Sequence, residues 1–389
     1  MKGPLAGIRV LDLTRFLAGP FCTQLLADYG ADVVKVESPE GREFGLPTGD
    51  SYFFLSANRG KRSLTLDLRK AEGRELLLRM LPRFDVLVEN YRPEVMQKWG
   101  LSGETLCERF PKLVYCGVSG FGADGPYANR PGLDQIAQGM SGFMSLTGTA
   151  ESGPTRAGIA IADLLGGMFA AQGVQLALLE RAQSGRGQVV HTSLLEAMIG
   201  VLSWGAGMFF EAGQAPGPAG QHHPLSSPYG RFKARDGYLN LAAASDVLWK
   251  RLTRALDREP WQQDARFCGF GERLRHRAEL TDEIEGVLAS GDVAHWVEVL
   301  NQAGVPCGPV LDLEQVFADP QVLAREMLVE LEHPERERFL TTGLPVKLSR
   351  TPGAIERRPP LHGEHSEEVL GECGVSPEEI ESLRAAEVL

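Results

Sequence analysis

None of the six cysteines in this chain stands in a CxxC pair: Cys22, Cys107, Cys116, Cys268, Cys307 and Cys373 are scattered. That spacing offers neither a zinc site nor a disulfide framework, and the expected compartment is a reducing cytoplasm. No basic stretch leads into an apolar one at the start, and no run of about 18 uninterrupted apolar residues occurs, so neither an export signal nor a membrane span is expected. Positive charge is not in excess either. The formal charge of −11 argues against broad nucleic-acid binding, yet it leaves room for a phosphorylated ligand in a local basic site. No serine lies in a GxSxG, which leaves a Ser-His-Asp assignment without support. The first strand-to-helix turn reads TRFLAGPF and lacks the GxGxxG that would admit a pyrophosphate, so a nicotinamide site with Glu37 on the ribose is disfavoured. His191 falls in a strand pattern, where a core or surface histidine is expected. His222 and His223 are adjacent, a poor metal geometry, and read as part of a flexible polar loop.

What is present is ordinary globular material, 43% hydrophobic and 23% charged. At 389 residues the chain exceeds the roughly 250 to 300 at which one core stops growing, so two domains are expected. IRVLDL reads as a strand, Ala18 to Tyr29 as a helix stopped by Gly30, and ADVVKVE as a second strand, a right-handed parallel crossover. A Gly- and Pro-rich loop follows. RSLTLDL, DVLVEN and LVYCGVS are further strands, with helices over Glu72 to Met80 and from Pro93. Leu133 to Leu146 and Ser193 to Phe210 look helical, and QVV makes another strand. The pattern is α/β, a Rossmann-like parallel sheet in a large domain over 1–215. EAGQAPGPAGQHHPLSSPYG reads as a linker or lid, and 225–320 as a small α+β domain opened by a hairpin at Asp236-Gly237, the pair a type I′ turn favours. Residues 330–389 end in two amphipathic helices, the second with a Ser376/Glu379 capping box, which need the large domain as a packing surface.

Ligands of doubly wound sheets sit beyond the carboxyl ends of the strands, so the loops after Glu89 and Ser119 are candidates. The basic residues Arg59, Lys61, Arg62, Arg69 and Lys70 form either a solvated face or a receiver of phosphates. In IAIADLLGGMFAAQGV, Asp163 is the one ionisable side chain among aliphatic, alanine and glycine residues. An isolated carboxylate in an apolar segment costs several kcal/mol unless something offsets it. Asp163 is either the N-cap of a helix from Leu164 or a covalent nucleophile beside glycines that admit a close ligand.

Several stretches resemble one family. PLAGIRVLDLTRFLAGPFCTQLLADYGADVVKVE, NRGKRSLTLDL, DVLVENYRP, ADLLGGM, SGRGQ, SPYGRFKARDGY, GVPCGPV and LHGEHSEEVL are similar, in order and across nearly the whole chain, to the family III CoA-transferases, the group of formyl-CoA transferase and carnitine CoA-transferase. The resemblance implies a large domain built from both chain ends and an interlocked homodimer. It implies coenzyme A thioesters as substrates with a carboxylic acid acceptor, and no permanently bound cofactor or metal. Asp163 would then attack the thioester to give a mixed anhydride, and the released thiolate would convert it to an aspartyl-CoA thioester on which the acceptor acid is exchanged. Backbone amides at Gly166 and Gly167, if exposed, would face oxyanions. The matching CoA contacts are Phe16, Leu66, Arg69, Asn90, Tyr91 and Lys98. Ser38 stands where formyl-CoA transferase carries a basic residue, and its active-site glycine run has no match. The related α-methylacyl-CoA racemases read GHD where this chain reads Gly132, Leu133, Asp134. Leu133 cannot move a proton, which favours transfer over racemisation. A non-catalytic acyl-CoA binder is the third reading.

Overall fold

The computed structural model describes residues 3–42 and 51–389. Most of the Gly- and Pro-rich loop expected after the second strand, 43–50, lies outside the described residues. The chain divides into two units: 3–144, 156–214 and 321–389 form the first, 145–155 and 215–320 the second.

In the first unit, strands β1 (Arg9–Asp12), β2 (Asp32–Glu37), β3 (Lys61–Thr65), β4 (Val86–Glu89), β5 (Val114–Ser119) and β6 (Val189–Ser193) make one sheet in the order 3-2-1-4-5-6. Every pairing is parallel, with Val10 opposite both Val33 and Val86. This is the doubly wound order, all strands running the same way, and the strand order reverses between β1 and β4. Alternation of side chains sorts β1 onto two cores: Val10 packs with helix α1 (Ala18–Asp28) and the Asp163 helix, Leu11 with the opposite layer. That opposite layer includes Leu76 and Leu77, and is completed by Val369, Leu370, Ile380 and Val388 from the tail. The tail is also tied down by charge. Arg59 grips the Asp28 carboxylate at 2.8 and 3.0 Å and donates to Thr341 Oγ1 and the Thr342 carbonyl, while Arg62 reaches Asp32, Glu368 and Glu372.

The Asp163 helix runs Ile161–Ser184, and its small residues let it lie close to α1. A Cβ on Gly167 would stand 2.5 Å from the Ala18 carbonyl oxygen, and one on Gly166 would stand 2.8 Å from Leu194. The second unit is an antiparallel sheet, Cys307–Pro309, Tyr238–Ala242 and Tyr229–Lys233, with helices Asp246–Ala255, Arg277–Leu288 and Val293–Gln302 around Phe232, Trp249, Ile284 and Trp296.

Several local expectations are corrected. Lys233 pairs with Tyr238, so the hairpin loop has four residues rather than a two-residue type I′ turn, and neither Asp236 nor Gly237 has positive φ. The Asp236 carboxylate instead accepts the Val293 amide at 2.8 Å and so anchors a helix start. The segment from Leu133 to Leu146 is two helices, Asp134–Met140 and Phe143–Leu146; that from Ser193 is also two, Leu194–Gly200 and Ser203–Ala212, bent by 71°. Ser376 accepts the Glu379 amide, but the Glu379 carboxylate goes to Arg79 rather than completing the box. A hairpin at Leu328–His333 and Arg336–Thr342 was not expected.

Gly167→Ala should destabilise the fold by about 1 to 3 kcal/mol, the range for overpacking against an unyielding neighbour. Gly286→Ala, on an exposed helix with nothing within 4 Å of the added carbon, should stabilise by roughly 0.5 to 1 kcal/mol. Denaturant titration of the two variants beside the wild type checks both signs.

Candidate active site

The loop leaving β1 is fixed from four sides. Asp12 Oδ1 accepts the Thr14 amide and hydroxyl at 2.8 and 2.5 Å, and Lys35 Nζ donates to the Thr14 carbonyl at 2.7 Å. The Asn90 side chain, leaving β4 across the switch point, accepts the Arg15 amide and donates to the Arg15 carbonyl, both at 2.8 Å. Beneath the loop, Lys61 Nζ is buried among Asp12 Oδ2, the Pro20 carbonyl and Asn58 Oδ1, at 2.7 to 2.9 Å. Burial opposes the charge on Asp12, yet Lys35 and Lys61 hold its carboxyl down at about 2. The residue so presented is Phe16, at φ 62° with 46% of its surface exposed. Left-handed backbone is strained for an aromatic residue, and such strain persists only where the surroundings over-determine it.

A cleft of about 400 Å³ opens beyond the carboxyl ends of β1 to β4. Phe16, Leu66, Arg69 and Tyr91 line it, together with Lys35, Arg42, Phe54 and Trp99. Its cations are largely engaged. Arg69 is bidentate on Asp67 at 2.9 Å and also meets Glu40; Arg42 is bidentate on Glu37 at 2.6 and 2.8 Å and lies 3.5 Å above the Phe54 ring. Glu37, the ribose acid of a dinucleotide reading, is therefore already occupied.

Asp163 is the third residue of its helix. It is not the N-cap: Ala160 takes that place, and no side chain of this segment caps it. The first turn is instead held from outside, by Asp134 Oδ1 accepting the Ala162 amide at 2.9 Å. Gln138 donates to the other Asp134 oxygen at 2.7 Å and accepts the Ala157 amide. Freed from capping, the Asp163 carboxylate has no hydrogen bond or ion pair among the described residues. Burial and the neighbouring Asp134 charge push it up to about 7, against the helix N-terminus, which favours the anion. Asp163 and Gly167 are four residues apart and share a face, so the carboxylate stands one turn, about 5.4 Å, beyond the contact with Ala18. Asp163 itself is not among the residues that line the cleft.

Residues 5–366 match CoA-transferase family III. The chain belongs to that family. It is 38% identical to the succinate–glutarate CoA-transferase of Agrobacterium fabrum, the match covering 95% of this chain and 96% of that one. It is 37% identical to the succinyl-CoA:mesaconate CoA-transferase of Haloarcula hispanica, covering 96% and 97%. A CAIB/BAIF family protein from Brucella suis, 37% identical, superposes with a TM-score of 0.87 over 96% of this chain and all of that one. This protein is accordingly a CoA-transferase, an enzyme whose substrates are CoA thioesters.

Against the sequence reading, this transferase brings Phe16, Leu66, Arg69 and Tyr91 to one cleft. Asn90 acts on the Arg15 backbone rather than on the cleft wall. Lys98 is exposed on the helix Pro93–Trp99, outside the lining. Gly166 and Gly167 are buried against Leu194 and Ala18, so their amides are not the exposed oxyanion donors anticipated. His222 and His223 lie in the second unit, His222 bridged to Gly230 and His223 stacked on Tyr229 at 4.9 Å. Sequence reading missed Arg42, though a buried acid ending β2 signals a need for a cation, and it noticed Gly132-Leu133-Asp134 for Leu133 while the working residue is Asp134.

Because the native Asp163 carboxyl titrates near 7 and the unfolded one near 3.8, its favourable contribution to stability is present at acid pH and is lost as the pH rises to 7. Asp163→Asn should therefore melt above the wild type at pH 8, with the gap closing as pH falls from 7 toward 4. Water reaches part of the group, so the gap at pH 8 is on the order of 2 kcal/mol. Thermal melts across that range read it directly.

Proposed function

We propose that this enzyme moves CoA from a succinyl-CoA-type thioester to a short dicarboxylic acid, with Asp163 as the covalent carrier. The observation that carries this reading is the half-buried carboxylate of Asp163 in the first turn of its helix, without a hydrogen bond or ion pair among the described residues. The carboxylate oxygen attacks the thioester carbonyl and expels CoA thiolate, giving an aspartyl-acyl anhydride. The thiolate attacks the aspartyl carbonyl, and the donor acid leaves. The acceptor carboxylate then displaces thiolate from the aspartyl-CoA thioester, and thiolate attacks the acceptor carbonyl of the new anhydride, restoring Asp163. Splitting the exchange keeps each activated acyl group on the protein, away from water.

Phe16, Leu66 and Tyr91 would bound the CoA moiety, with Arg69 meeting a phosphate by exchanging its exposed Glu40 partner. Asn90 would act through the Arg15 loop, and Lys98 from the rim. The substrates named for the A. fabrum and H. hispanica relatives, all short dicarboxylic acids or their thioesters, support the acid class. Leu133 is 66% exposed and apolar, which supports transfer over racemisation. A homodimer is part of the same reading: Met168, Leu176 and Leu179 leave an apolar side of the Asp163 helix uncovered, as do Trp204 and Phe210 nearby in the chain. The compartment we assign is the cytoplasm, in keeping with six unpaired cysteines.

Incubation with succinyl-CoA and glutarate or mesaconate should yield the new thioester, and hydroxylamine or borohydride should trap an adduct on Asp163. Asp163→Asn should lose at least about 10³-fold in turnover, on the scale of removing a nucleophile. Transfer surviving in that variant would end the assignment. The rate should also fall as pH drops through about 7, where the nucleophile takes up its proton. A flat profile from pH 5 to 8 would count against it.

A further inference from the structure

A second buried acid remains unused by this chemistry. Glu89 ends β4 at the topological switch point and is 5% exposed. Its Oε2 accepts the Tyr91 amide at 2.7 Å, and its Oε1 accepts the Tyr115 hydroxyl at 2.9 Å. Among the described residues no cation pairs with it. Space for it depends on Gly117 of β5, where a Cβ would stand 2.9 Å from Glu89 Oε1 and from His191 Nδ1. Removing a carboxylate from water without a counter-charge is costly, so this one has a poor claim as a stabilising group.

We propose that Glu89 is a positioning residue of the thioester cleft, its carboxylate fixing the backbone from which Asn90 clamps the Arg15–Phe16 loop and Tyr91 walls the cleft. The three residues divide the labour. Glu89 points down and turns the chain at Tyr91. Asn90 points across to β1 and takes both Arg15 backbone groups. Tyr91 stands in the cleft wall, edge-on to Trp99 at 5.2 Å between centroids. Without the Glu89 bond the Tyr91 amide has no partner in this turn, and both Asn90 and the Tyr91 ring lose their bearing. The loss falls on binding of the thioester, since Asp163 is carried by another element.

The inference rests on the cleft being the CoA site, and the test separates the two. In the full-length enzyme, Glu89→Ala should raise KM for succinyl-CoA, and Kd for CoA by calorimetry, by on the order of tenfold, the effect of a lost charge-assisted hydrogen bond. The kcat should stay within about threefold. Glu89→Gln should recover most of the affinity, because its carbonyl still accepts from Tyr91 and its amide can meet Tyr115. Should Glu89→Ala not fold, Gly117→Ala, which crowds Oε1, must raise KM in the same way. A folded Glu89→Ala with unchanged KM and Kd overturns the proposal, as does a fall in kcat with KM unmoved, or Gly117→Ala leaving KM unchanged. If Arg69→Ala and Tyr91→Ala also leave KM and CoA binding unmoved, the cleft assignment itself fails; if those two weaken binding and the Glu89 variants do not, only the positioning role is lost.

Discussion

The site depends on how closely the α1 backbone comes to the Asp163 helix. With no side chain at Gly167, the Ala18 carbonyl sits where a Cβ would be only 2.5 Å away, and α1 begins against the helix one turn below Asp163. Any larger residue would push the two elements apart. Interiors packed at crystal-like density turn such a small change at a crossing into a displacement of everything attached to either side. The glycines that looked like room for a ligand are room for a helix, and the ligand's room lies beyond them.

Two kinds of buried charge surround this crossing and do different things. Asp12 and Lys61 are fully paired with each other and with Thr14, Thr23 and Asn58, and they hold a loop in a backbone conformation it would not choose. Asp163 is the reverse case, with its neighbour Asp134 engaged by a helix amide and Gln138 while it has no hydrogen-bond or ion-pair partner among the described residues. A carboxylate poised near neutrality and left without donors is a poor structural group and an apt nucleophile. The cleft cations follow the paired pattern, Arg42 with Glu37 and Arg69 with Asp67, so the site is oriented before anything enters it.

The sheet was legible because four of its strands are apolar runs and β3 opens the alternating RSLTLDL stretch, and the crossover rule supplies handedness and direction. Strand order is not in those runs; it comes from which strands pair. Asp163 stood out in the sequence through its isolation, and that Phe16, Leu66, Arg69 and Tyr91 share a cleft followed the family likeness. What escaped reading is what depends on distant partners. A capping preference for Asp163 was outweighed by Asp134, 28 residues before the amide it accepts. The Asp236-Gly237 pair suggested a tight turn, but Asp236 was recruited by the Val293 helix. Asn90 and Glu89 sit in one tripeptide with Tyr91, and nothing in their spacing tells which points into the cleft and which away from it.

The first unit is closed by residues that follow the second unit in the chain. Arg59 finds Asp28 early, but Thr341 and Thr342 follow it by 282 and 283 positions, and the hydrophobic layer around Leu76 and Leu77 stays open until Val369, Leu370 and Ile380 arrive. A nascent chain therefore carries an unfinished apolar face through the synthesis of the entire second unit. Domains that close on their own N-terminal half can fold as they emerge, whereas this one must wait. How long that face stays uncovered is set by the order of its segments rather than by the stability of the finished enzyme.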